Sequence, residues 1–432
     1  MTINQVHAVL LPTEILADIF IICLPVPSPL WTNIIDEDHP LRPAEAPLLV
    51  AGVCRRWREV SISTPRLWFP LHIAVNRKTD LDSPQVISTW LSRSLPHPLS
   101  FSMPRLPCKA DVEELIRHCE RWGAVELLIP ESDPHMFDEV RGRLPNLSKL
   151  CLDFEAEDPF VVKSFTDAPQ LKEVHLIAGS GSVVLPWHQL TNLTCQYFTD
   201  IECVNILRQC SALVECRLIA FDTDRSMNSN PSFSPIVQHQ ITSFKIHGTS
   251  NTYALRFLEL PSLRVLELEL ESTPVEGDVE ILVSFLSRSG CQLEHICLWE
   301  ATDQDLLRCI PFLASLVSLE IRTYHVFLTD DVVRSLTNRA VFPKLQKLDF
   351  DVSLQDWRTH DWTEGLMREM ILSRCLCSGN STDVRLQTFR LVYTPDDDED
   401  DTGLMPLASE LGPLLAHSMV EFRISADSTQ WV

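Results

Sequence analysis

Leu293-Glu294-His295-Ile296-Cys297-Leu298-Trp299 holds three apolar anchors, Leu293, Ile296 and Leu298, in a six-position phrase with variable residues between them. Ile296 and Leu298 alternate with His295, Cys297 and Trp299, which predicts a strand buried on one side. Working outward, the phrase returns upstream at Leu263/Leu266/Leu268, Ile241/Phe244/Ile246, Leu213/Cys216/Leu218, Leu190/Leu193/Cys195, Leu171/Val174/Leu176, Leu147/Leu150/Leu152 and Trp122/Val125/Leu127. Downstream it returns at Leu316/Leu319/Ile321, Leu345/Leu348/Phe350, Leu386/Phe389/Leu391 and Met419/Phe422/Ile424. The first anchors Trp122 and Met419 lie 297 residues apart over 11 intervals, or 27 residues per unit. One such phrase fits many buried strands; twelve in sequence define a repeat.

Between phrases lie segments with helical spacing and helix-start signals. Asp133-Pro134 and Asp158-Pro159 place an N-cap residue before proline, Asp200, Thr302 and Thr329 are further caps, and Gly277–Gly290 and Trp362–Leu376 read as longer helices. A unit of one strand and one helix cannot bury its own apolar faces, so neighbours must stack. The fold class is therefore α/β, with parallel strands on an inner curve and helices outside. The array from 122 to 432 resembles leucine-rich repeats, whose units span 20–29 residues. It lacks the usual asparagine after the last anchor, where residues such as Glu155, Gly179 and Phe198 stand. The resemblance thus implies a solenoid of irregular curvature.

Composition limits the rest. A chain of 432 residues, 45% hydrophobic, can bury a large core. A net charge of -23 repels a polyanion, which argues against nucleic acid as a partner. The 14 cysteines form no CxxC pair and fall mostly at anchor or helix positions, as reduced core thiols do. The first fifteen residues show no secretory pattern, and the uncharged run 19–35 contains three prolines and is too short to span a bilayer. The expected place is the cytoplasm or nucleus, with no membrane partner.

Three regions follow: 8–68, helical with a proline-rich insertion at 25–47; 69–121, a linker and opening repeats; and 122–432, the array. In the first, Pro12 and Glu14 suit the opening turn of a helix, and Ile15, Leu16, Ile19 and Phe20 form an apolar stripe. Leu48, Leu49, Val53 and Trp57 form another. In the second region, Leu71-His72-Ile73 and Leu99-Ser100-Phe101 read as short strands, with helices from Ser83-Pro84 to Leu91 and from Asp111 to Trp122.

Leu11-Pro12-Thr13-Glu14-Ile15-Leu16, Ile19-Phe20, Val53-Cys54-Arg55-Arg56-Trp57-Arg58-Glu59-Val60 and Pro65-Arg66-Leu67-Trp68 together resemble an F-box motif. Leu91-Ser92-Arg93-Ser94, Pro98-Leu99-Ser100 and Cys119-Glu120-Arg121-Trp122 are similar to the fungal branch of F-box proteins with repeat arrays. The resemblance implies docking on a Skp-type adaptor of a cullin-based ubiquitin ligase, with Leu11, Pro12, Ile15, Leu16, Ile19, Leu49, Val53 and Trp57 at the adaptor. Trp57 equally fits the core of the box, and the insertion at 25–47 replaces the family's short turn. A second reading makes the two helices a cap on the stack, in a repeat scaffold with no ligase link. Exposure separates the two, because a cap buries Leu11, Pro12 and Ile15 while a docking module leaves them bare.

Catalytic patterns are lacking: no G-x-S-x-G, H-E-x-x-H or phosphate-loop motif occurs, and there are 12 glycines in all. The expectation is a non-enzyme without cofactor or metal. His118/Cys119 and His295/Cys297 lack converging partners for a metal site. The acidic run Asp396–Asp401 raises a third reading, a GTPase-activating repeat protein. Residues flanking the last two anchors point to the concave surface, and Trp299 with His295, Glu320 and Arg322 has the composition of an interface hot spot. These four form the candidate target-binding patch, with Trp299 expected to be exposed.

Overall fold

Apolar anchors from successive phrases meet in register across hydrogen-bonded strands, and that pairing builds the molecule. A computed structural model of the chain describes residues 11–24, 47–68, 84–103, 109–155, 160–177, 181–219, 235–248, 251–270, 278–323, 328–352, 363–375, 384–393, 410–411 and 421–426. Most of the insertion at 25–47, the strand expected at Leu71–Ile73, the acidic run Asp396–Asp401 and anchor Met419 lie outside these residues. The chain divides into two compact units, Met1–Tyr197 and Phe198–Val432.

The first unit begins with α1 (Thr13–Ile22), α2 (Leu48–Val53), α3 (Arg55–Ile62) and a tight turn at Pro65–Trp68. The stripe from Leu48 to Trp57 is two helices, not one. Cys54 is extended between them, and its thiol accepts from the Trp57 amide at 3.5 Å as the α3 N-cap. Next come α4 (Pro84–Arg93), β1 (Leu99–Met103), α5 (Lys109–Arg117), β2 (Trp122–Pro130) and β3 (Lys149–Glu155). The unit closes with β4 (Phe160–Val162), β5 (Glu173–Ile177), β6 (Gly181–Val183) and β7 (Asn192–Gln196). Strands β1, β2, β3, β5 and β7 pair in that order, all parallel. Trp68 is fully buried, donates to Ser61 O at 2.8 Å and meets Trp90 of α4 edge-on at 4.7 Å. That contact joins the N-terminal helices to the first repeat.

The second unit runs α6 (Asp200–Leu207), β8 (Glu215–Ile219), β9 (Ile236–Val237), β10 (Ser243–His247), β11 (Leu258–Glu259), β12 (Val265–Glu269) and α7 (Asp278–Ser289). It continues β13 (His295–Trp299), α8 (Asp303–Cys309), β14 (Ser318–Arg322), α9 (Asp330–Thr337), β15 (Lys347–Val352), α10 (Glu364–Cys375), β16 (Thr388–Tyr393) and β17 (Glu421–Ala426). Here β8, β10 and β12 through β17 form a second parallel ladder. Its register sets Phe244, Leu266, Ile296, Leu319, Leu348 and Phe389 side by side, all buried. On the outer side α7 packs on α8, α8 on α9 and α9 on α10. The protein is thus mixed α/β with parallel pairing throughout the main ladders.

Three helix expectations need correction. Asp133-Pro134 opens turns and a single 3-10 turn, Asp138–Val140, and Phe160–Val162 is a strand paired with Gly181–Val183. A proline after an N-cap residue marks a turn start whether or not a helix has room to follow. The segment from Asp111 to Trp122 ends as a helix at Arg117, and Trp122 opens β2. The cap of α6 is Thr199, one residue before Asp200, in a reciprocal capping box with Glu202. Thr302 does the same with Asp305, the amides of Asp305 and Thr302 each meeting the other's side chain at 3.4 and 2.7 Å. Thr302→Ala is expected to cost about 1 kcal/mol, read by chemical denaturation, since the Asp305 amide loses its side-chain acceptor.

Backbone and side-chain bonds tie successive strand segments to one another. The amides of Glu294, Val317 and Gln346 each donate to the preceding repeat's carbonyl, at Arg264, Glu294 and Val317, over 2.7–2.8 Å. Thr323 Oγ1 donates to Ala301 O at 3.0 Å. Outer carbonyls left open at segment ends take donors from the next repeat. Gln189 Nε2 reaches Ala168 O and Leu171 O, Gln238 Nε2 reaches Leu207 O and Cys210 O, and Arg288 Nη2 reaches Leu255 O. Buried Arg374 donates from Nε to Leu336 O at 2.6 Å, from Nη1 to Phe342 O at 2.7 Å and from Nη2 to Asn338 O at 2.9 Å. Helix ends leave carbonyls without partners inside the helix, and these long amide and guanidinium groups supply them.

Candidate functional site

The N-terminal helices split their apolar residues between two sides. Leu16 and Phe20 turn inward from α1, and the Phe20 ring meets Trp57 of α3 at 4.8 Å. Ile15 (45% exposed), Ile19 (40%) and Ile22 (82%) follow one another at helical spacing on the other side. On α2, Leu49 (51%) and Val53 (57%) do likewise. Pro12 is exposed and Leu11 half-buried, its carbonyl accepting from Arg56 Nη2. Of the residues matched to the adaptor-binding set, Leu16 is therefore corrected to core, and Trp57 is half-buried against Phe20. Ile22 was missed; it is the next turn of the stripe begun by Ile15 and Ile19, and that spacing could have found it. Fully covering such a side chain gains roughly 1.5–3 kcal/mol, so covering these half-exposed five contributes on the order of 4–7 kcal/mol before association costs.

The second candidate surface lies on the face of the second ladder opposite its buried anchors. Alternation sends Glu267 and Glu269 of β12, Cys297 and Trp299 of β13, Glu320 and Arg322 of β14, and Asp349 and Asp351 of β15 to one side. Trp299 is half-buried, not exposed as its sequence context suggested, because Arg322 lies over its ring at 5.5 Å. The histidine beside it is His247 of β10, ring to ring at 6.4 Å. His295 is exposed at the opposite end of β13, four positions or roughly 13 Å away. The Trp299 Nε1 is buried without an acceptor, which is uncommon for an indole.

Ion pairs flank this strand on both sides. Lys245 Nζ and His247 Nε2 lie 2.8 and 3.2 Å from Glu267, and His247 Nδ1 lies 3.9 Å from Glu269. Beyond it, Lys347 pairs with Glu320 at 2.6 Å, Arg390 with Asp349 at 2.8 Å and Arg322 with Asp351 at 3.5 Å. Strand β13 is a half-buried seam of Cys297 and Trp299 between two paired patches, an apolar centre with a polar rim. Burial, with Glu267 and Glu320 alongside, pushes the Cys297 thiol up to about 12, so it stays protonated at neutral pH.

His247 at 3.2 Å, opposed by burial and helped by Lys245 at 2.8 Å, holds the Glu267 carboxyl down to about 2 from an ordinary 4.5. A carboxyl depressed in the folded state stabilises above its unfolded value and loses that contribution as pH falls. Stability from Glu267 is thus expected to be complete above about pH 4.5 and to vanish toward pH 2. Acid denaturation of Glu267→Gln is expected to lack this part of the slope. On the first ladder the sign reverses: burial raises the Glu126 carboxyl, with Asp153 adding repulsion, although Ser102 donates to Glu126 at 2.7 Å.

Among the described residues no cluster of three His, Cys, Asp or Glu side chains is placed to hold a metal ion, and no helix is long and apolar enough to cross a membrane. Fold and surfaces together define a mixed α/β protein of parallel ladders that carries an exposed apolar helix stripe and a charge-paired strand face. No model of a known protein family matches the chain, and no curated protein matches it either.

Proposed function

We propose that the chain is the substrate-recognition subunit of a cullin-based ubiquitin ligase. In this reading the N-terminal helices are an F-box that grips a Skp-type adaptor through Pro12, Ile15, Ile19, Ile22, Leu49 and Val53. The two ladders belong to one leucine-rich-repeat solenoid, strands on its concave side, whose face around Trp299, Glu320 and Arg322 selects a target protein. The chain makes and breaks no bonds itself; it raises the effective concentration of target at the ligase. Its place of action is the cytoplasm or nucleus.

The observation that carries the reading is the exposure of five large aliphatic side chains on α1 and α2. Contiguous apolar residues at helical spacing left in water mark a partner-binding surface. The cap alternative, a repeat scaffold without ligase link, needs Leu11, Pro12 and Ile15 covered by the array; Pro12 and Ile15 are exposed and Leu11 is half-buried. The GTPase-activating alternative rests on Asp396–Asp401, outside the described residues. Co-expression with a Skp-type adaptor tests the proposal. Wild-type chain is expected to co-purify with the adaptor; wild type that elutes alone overturns the reading.

A further inference from the structure

The charge of the second ladder's face is distributed unevenly. Glu267, Glu320, Asp349 and Asp351 each lie within ion-pairing distance of a lysine or arginine on their own or a neighbouring strand, and Glu269 accepts from the Gly248 amide at 2.8 Å. Among the cations Arg217 of β8 is different. It is exposed, stands in register with Lys245, and has no carboxylate partner among the described residues. Glu215, two positions earlier on β8, is already partnered. A basic side chain arriving here must break an existing pair, whereas an acidic one meets an uncompensated guanidinium. This holds although the whole chain carries -23. Local pairing, not net charge, sets the preference at contact distance.

Geometry fixes the spacing. From β8 to β13 the ladder takes three steps, through β10 and β12. At ~4.8 Å per step this is roughly 14 Å, which about four residues of extended chain cover at ~3.5 Å each. Resting on the reading of this face as the target-binding surface, we infer that its ligand is an acidic extended peptide segment of the target. An apolar or aromatic anchor of that segment sits on the Trp299–Cys297 seam, and an aspartate or glutamate about four residues away pairs with Arg217. The guanidinium fork accepts a carboxylate through two parallel N–H donors, and Trp299 supplies the central contact.

A random dodecapeptide library displayed on phage, panned against the full chain, tests this. Wild type is expected to enrich peptides with a carboxylate about four residues from an apolar anchor, in either order. Arg217→Glu, an exposed substitution that leaves the core untouched, is expected to exchange that carboxylate for lysine or arginine and keep the anchor. Trp299→Ala is expected to lower binding of a selected peptide about tenfold or more, with unchanged circular dichroism. Enrichment of basic peptides, no enrichment, or an unaltered preference in Arg217→Glu overturns the inference. Adaptor co-purification reads α1 and α2 instead, so failure of the ligase reading and failure of this one are told apart.

Discussion

Replacement of Arg374 by methionine is expected to lower the stability of the second unit by about 3–5 kcal/mol. The side chain is almost fully buried and holds three carbonyls, at Leu336, Asn338 and Phe342, that end one repeat's outer segment. Methionine keeps much of the volume but leaves all three acceptors in a dry environment, each costing about 1–3 kcal/mol. Burial and the nearby Arg339 lower the guanidinium to about 10, which still leaves it charged at neutral pH. Arg374→Lys keeps a charge but not the fork, so it is expected to recover only part of the loss. Urea denaturation of the three proteins checks the order wild type, lysine, methionine. A methionine variant as stable as wild type would remove these cross-repeat bonds from the account.

The second large effect concerns the adaptor. Ile15→Asp combined with Leu49→Asp is expected to weaken adaptor binding about a hundredfold or more, because two charges then lie in what would be a desolvated apolar contact. Both positions are about half exposed in the free chain, so the melting temperature is expected to stay within a few degrees. Leu16→Asp is the contrasting control. It sits one residue along the same helix but is 1% exposed, and its substitution is expected to unfold the N-terminal helices outright. A docking surface and a structural core predict opposite rankings of these variants for stability.

The anchors were legible in the sequence because both their local alternation and their recurrence are written in one dimension. Leu266, Ile296 and Leu319 stand in register as their phrases foretell. The outer segments were less legible. Asp133-Pro134 carries a helix-start signal, yet the distance to the next strand and the packing against neighbours decide between helix and turn. Contacts that tie repeats together were not legible at all. Arg374 and its acceptors are 32–38 residues apart, and no local pattern marks a buried arginine as a carbonyl donor. At the candidate sites, alternation placed Trp299 on the ladder face. Its cover by Arg322 of the adjacent β14 and its neighbour His247 of β10, two strands away, come from other strands, so its exposure was overestimated. Helical spacing found the stripe of Ile15 and Ile19 but could not show that Leu16, inside the same motif, faces the other way.

Calorimetric titration of the full chain with a purified Skp-type adaptor tests the central claim most directly. The account predicts saturable binding at one adaptor per chain, lost in the Ile15→Asp/Leu49→Asp variant while its fold persists. A correctly folded wild-type chain that takes up no adaptor, or a variant that binds as tightly as wild type, would contradict it.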